Sequence, residues 1–135
     1  MKELLKYTLR GEFFFTSIDR LSIVCNAPEK YGGLYIVYAI KKDVSELIYI
    51  GISGRLDKQL GKLIARKDGI KGRIVKGKRD GELRGDFWIR EMLKEQIEAL
   101  KICWYVVHDE SKFQDCPETL ERILIDKFKP RWNRK

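Results

Sequence analysis

Two apolar runs joined by a short polar turn constrain this chain more than any other feature. Leu34 to Ile40 is rich in β-branched and aromatic residues, and Leu47-Ile48-Tyr49-Ile50 follows soon after Lys41-Lys42-Asp43. Such runs suit a pleated, half-buried surface. A connection this short favours antiparallel neighbours, so the pair predicts a β-hairpin. Gly32-Gly33 opens it and Gly51-Ile52-Ser53-Gly54 closes it.

Downstream, residues 55 to 85 hold 11 Lys or Arg, with Gly at 61, 69, 72, 77, 81 and 85. This reads as short helical pieces broken by glycines. Asp86 is placed to cap the next helix, whose Ile89, Leu93, Ile97 and Leu100 recur at helical spacing. Ile102 to Val107 reads as a third strand. Asp115, Pro117 and Glu118 have the D-x-x-E spacing of a capping box, and the helix they start runs to about Phe128, before Pro130. The order is strand, strand, helix, helix, strand, helix. Residues 1–31 read as an N-terminal extension packing on one edge or face of the sheet, within a single compact domain.

Composition narrows the function classes. At 135 residues and 44% apolar content the chain can bury a core, which excludes a disordered basic tail. No apolar run reaches the roughly 18 residues of a membrane span, so no membrane role is expected. The opening Met1-Lys2-Glu3-Leu4-Leu5-Lys6 lacks the pattern of a secretory signal. Cys25, Cys103 and Cys116 are scattered and odd in number, which fits a reducing cytoplasm better than a disulfide framework or a thiolate zinc site. A net charge of +8 favours a polyanion as partner, nucleic acid first.

Three groups of residues carry candidate chemistry. At about 100° per residue, Leu120, Leu124, Ile125 and Phe128 form one apolar sector of the final helix, and Glu121 projects from within it. A carboxylate facing a core must be paired or hold a metal; a salt bridge to a nearby arginine would serve equally. Tyr35 and Tyr49 sit on the paired strands beside glycines, although strand tyrosines are more often simple packing. Lys71, Arg73, Lys76, Lys78 and Arg79 interleave with Ile74 and Val75 in a basic segment that reads as phosphate-binding or merely solvated.

In order, Gly33-Leu34-Tyr35, Tyr49-Ile50-Gly51, an arginine on a basic helix, Glu121 and Pro130-x-x-Asn133 resemble the GIY-YIG nuclease family. The resemblance covers roughly residues 32 to 135. It implies an α/β (α+β) domain with a small three-stranded antiparallel sheet flanked by helices. It also implies a divalent-metal-dependent DNA endonuclease. Tyr35 and Tyr49 match the motif tyrosines, Glu121 the ligand of a single Mg²⁺ or Mn²⁺, and Asn133 the closing asparagine. Arg73 matches the family arginine, with Arg55 and Arg66 as competitors. The position one turn later, a histidine or tyrosine in many members, is Gly77 here. The lysine many members place after the second motif is absent, leaving Ser53 or Lys76 to serve. Either tyrosine can handle the water, with Tyr35 preferred. DNA, duplex or branched, is the implied partner of a monomer or homodimer, and Lys71, Arg73, Lys76, Lys78, Arg79 and Arg84 are candidate contacts. A non-catalytic nucleic-acid-binding module on the same fold is the alternative.

Overall fold

The structure, a computed structural model, describes residues 1–57, 59, 61–65, 67–108 and 115–133. Its elements in chain order are β1 (Arg10–Phe15), α1 (Leu21–Val24), β2 (Gly32–Lys41), β3 (Val44–Ser53), β4 (Arg55–Asp57) and β5 (Lys62–Ile64). Then come α2 (Gly69–Lys76), β6 (Lys78–Arg79), β7 (Glu82–Leu83), α3 (Arg84–Glu95), β8 (Ala99–His108) and α4 (Pro117–Phe128). Short 3₁₀ turns occupy Lys2–Leu4 and Arg131–Asn133.

The expected hairpin is β2–β3. Lys41 pairs with Val44, and the two turn residues Lys42 and Asp43 take φ of 52° and 65°. Positive φ at both central positions marks the tight turn whose twist matches the flanking strands. The main sheet is antiparallel, mixed with helices in an α+β arrangement, and runs β1-β8-β2-β3. It therefore has four strands where three were expected. The fourth comes from the N-terminal extension, because Arg10–Phe15 pairs along β8 from Arg10↔Tyr105 to Phe15↔Leu100.

Side-chain alternation gives the sheet two buried faces. On one, Tyr35, Val37, Ile102 and Trp104 meet Ile70 and Ile74 of α2 and Trp88 and Met92 of α3. On the other, Leu34, Ile36, Ile50 and Val107 meet Leu124 of α4 together with Leu4 and Tyr7. No helix among the described residues is long and apolar enough to cross a membrane.

Several local expectations are corrected. Residues 55 to 85 contain one helix ahead of α3, and two small ribbons, β4–β5 and β6–β7, take the place of the other helical pieces. Asp80-Gly81, at φ of 52° and 83°, turns the second ribbon. Helix α3 starts at Arg84, capped by Leu83, so Asp86 lies in its first turn rather than at its cap. The capping box does not form: Cys116 is the N-cap of α4, and Asp115 instead accepts the Tyr7 hydroxyl at 2.5 Å and pairs with Lys6 at 3.0 Å.

Candidate active site

Tyr35 and Gly51 are Cα partners across β2 and β3, and Tyr49 lies two residues before Gly51 on the same side. A Cβ at position 51 would stand 2.2 Å from Tyr35 Cζ, so the glycine is the space into which the phenol ring lies. That close approach explains why a glycine completes the second tripeptide. The rings of Tyr35 and Tyr49 stand 6.0 Å apart at 43°. Tyr35 is fully buried and its Oη has no hydrogen-bond partner among the described residues. Burial pushes its pKa far above the ordinary phenol value, with the Arg84 charge opposing the rise. Tyr49 is only half-buried, and its hydroxyl accepts a hydrogen bond from Arg84 Nη1 at 3.3 Å.

Arg84, expected as a surface contact to DNA, is 4% exposed. Its Cζ lies 5.8, 5.7 and 5.9 Å from the Tyr35, Tyr49 and Trp88 ring centres. No acid among the described residues pairs with it, and its Nε is buried without a partner. Room for the guanidinium comes from Gly77, where a Cβ would stand 2.6 Å from Arg84 Nη2. The position that the resemblance marks as departing from pattern is thus filled from another element. Trp88 is 1% exposed and belongs to the core.

Arg73 projects from α2 at the flank of the side that Ile70 and Ile74 bury in the core. Its charge acts on both the Tyr35 phenol and the Glu121 carboxyl. Arg73 also lines two cavities. One, of about 230 Å³, is bounded by Tyr49, Arg73, Lys78, Arg79, Arg84 and Asn133, among others. The other, of about 280 Å³, includes Ser53, Arg55, Arg73 and Glu118. Arg55, one competitor for the arginine role, is exposed on β4 at this second cavity. The other, Arg66, lies outside the described residues.

Glu121 is half-buried on α4, and it makes no hydrogen bond or contact-range ion pair among the described residues. Desolvation lifts its carboxyl above the ordinary pKa, the Glu118 charge adds to the rise, and Arg73 opposes it. Phe128, expected beside it in the apolar sector, is 39% exposed, so Glu121 stands toward the rim of that sector. Among the described residues no three His, Cys, Asp or Glu side chains gather as a metal cluster. Glu121 is thus a half-buried carboxylate whose nearest charged neighbours are Glu118 and Arg73.

Asn133 serves the backbone. Its Oδ1 accepts the Ile50 N–H at 2.7 Å and its Nδ2 donates to the Ile50 carbonyl at 2.8 Å. A side-chain amide has the donor and acceptor of a peptide group, so Asn133 stands in for a further strand on β3, between Tyr49 and Gly51. Trp132 fixes this turn through Nε1 to Glu95 at 3.1 Å, and its carbonyl accepts Arg79 Nη1 at 2.9 Å.

The remaining basic residues divide. Lys71 pairs with Glu29 at 3.9 Å and Lys76 with Asp68 at 2.9 Å, which removes both from the cavities. Ser53 is buried and donates to the Gly69 carbonyl at 3.0 Å, so its proton is committed to the start of α2. His108 ends β8, is buried there and lines neither cavity. Reasoning from sequence missed the central place of Arg84. Its signal was Gly77, whose lack of a side chain has a cause only once the arginine is seen to fill the gap. No family model, no curated protein and no solved structure matches the chain.

Proposed function

We propose that this chain is a divalent-metal-dependent DNA endonuclease of the GIY-YIG type, acting in the cytoplasm on duplex or branched DNA. The observation that carries this reading is the position of Arg73. It borders Tyr49 and Asn133 on one side and Glu118 on the other, and its charge reaches both Tyr35 and Glu121. A phosphodiester held by Arg73 would have phenols to one side and carboxylates to the other.

In that arrangement water attacks phosphorus, forming a new P–O bond while the bond to the 3′ oxygen breaks and that oxygen leaves with a proton from solvent. Arg73 binds the phosphate oxygens with a planar fork of donors and stabilises the charge that grows on them. Tyr49 is better suited than Tyr35 to orient the water and take its proton. Its hydroxyl borders the cavity and accepts a hydrogen bond from Arg84, whereas Tyr35 is fully buried and its burial holds the phenol protonated. Tyr35 supports the ring of Tyr49 from behind. Glu121 would hold Mg²⁺ or Mn²⁺, which when bound neutralises charge on the phosphate. Asn133 holds the Tyr49–Gly51 backbone in place.

The test is cleavage of a panel of single-stranded, duplex and branched DNA at low salt, with and without Mg²⁺ or Mn²⁺. Metal-dependent cleavage is expected. Glu121→Gln should abolish it while DNA binding persists, and Arg73→Ala should slow it by about 10²–10³-fold. Binding without cleavage under any metal would replace this reading with a non-catalytic module.

A further inference from the structure

The cavity beside Tyr49 contains a feature that hydrolysis at Arg73 and Glu121 does not require. Arg73, Lys78, Arg79 and Arg84 converge on about 230 Å³, and among the described residues no acid lines it. Arg84 is 96% buried with no carboxylate paired to it among the described residues, and three aromatic faces surround its guanidinium. Burying a cation with no counter-charge is costly, and cation–π contacts offset only part of that cost. Chain connectivity holds the arrangement together: Gly77 N–H donates to the Arg73 carbonyl at 3.1 Å, and Arg84 N–H to the Gly77 carbonyl at 2.9 Å. Gly77 and the ribbon turn thus place a guanidinium with no carboxylate partner among the described residues beside three other cations, Arg73, Lys78 and Arg79. Such a site is complete only with an anion in it.

We infer that this cavity is a seat for a second DNA phosphate, adjacent to the one that reacts, gripped by Lys78, Arg79 and Arg84. Glu118 and Glu121 do not line it, so the phosphate it holds is not the one beside the carboxylates. The seat itself follows from the charges and burial, and its assignment to a flanking DNA phosphate rests on the nuclease reading. One consequence is that DNA would enter with one phosphate fixed before the neighbouring bond is aligned at Arg73.

The experiment is calorimetric titration of the full chain with inorganic phosphate in the absence of divalent metal, repeated in the presence of a short duplex. Saturable binding with a Kd of roughly 1–10 mM is expected, and the duplex should compete with it. Arg84→Met and Lys78→Ala should each weaken phosphate at least about tenfold. Lys78 is exposed, so its variant reports on the seat even where Arg84→Met fails to fold. Glu121→Gln should bind phosphate as well as the parent or better. The inference is overturned if phosphate does not saturate, if Lys78→Ala binds it unchanged, if Glu121→Gln abolishes it, or if duplex and phosphate bind together. Competitive phosphate binding by a chain that never cleaves DNA would retire the nuclease and keep the seat. Cleavage without phosphate binding would do the reverse.

Discussion

At neutral pH the Glu121 carboxyl bears a charge that its surroundings disfavour, since burial and Glu118 both raise its pKa in the folded chain. A carboxyl with a raised folded pKa contributes stability that is full below its unfolded pKa, near 4.3, and is lost as pH rises through the folded value. Glu121→Gln mimics the protonated form. It should therefore raise Tm at pH 7 by about 2 °C, a figure kept small because the group is half exposed. At a pH of about 3.5 the gain should vanish. Thermal melts at the two pH values check this, and an equal shift at both would mean that charge is not the cause. The same residue shows what a linear sequence can reveal. Its angular position on α4 depends only on helical pitch, and the pairing of Tyr35 with Gly51 depends only on strand alternation. Arg84 has no such local rule, because its burial depends on Gly77 and on aromatic rings brought from three other positions.

Among the elements, the turn at Arg131–Asn133 acts on β3 through two hydrogen bonds from one side chain. Asn133→Ala leaves the Ile50 N–H and carbonyl without these partners and should cost about 1–3 kcal/mol. Hydrogen exchange at the Ile50 amide should accelerate more than at Ile36, its partner across the hairpin. Equal acceleration at both would mean global rather than local loosening. Strand β1 was hidden for a related reason. Its partner β8 lies far along the chain, and no local pattern in Arg-Gly-Glu-Phe-Phe-Phe specifies that partner. The β6–β7 ribbon, by contrast, was legible in Asp80-Gly81, a hairpin dipeptide, but the surrounding lysines and glycines drew the reading toward helix.

For the whole molecule, the +8 charge is unevenly available. Lys71, Lys76 and Arg90 are engaged with Glu29, Asp68 and Glu82, whereas Arg73, Lys78, Arg79 and Arg84 line one cavity with no acid among the described residues. Two neutralised phosphates would give duplex binding a slope of about −2 in log K against log salt. Lys78→Ala should reduce that slope by about 1, and Lys76→Ala should leave it alone. Affinities measured across a salt series decide it, and equal effects of the two lysines would mean that net charge alone governs binding.

The central position of β8 has a temporal consequence. The phenylalanine-rich β1 must wait for residues 99–108 to be made before it gains β8, its partner in the sheet among the described residues. At roughly 5–20 residues per second that delay lasts several seconds on the ribosome. During it both β1 and the outer edge of β2 lack their β8 neighbour, so the nascent chain carries two unmatched strand edges open to misassembly.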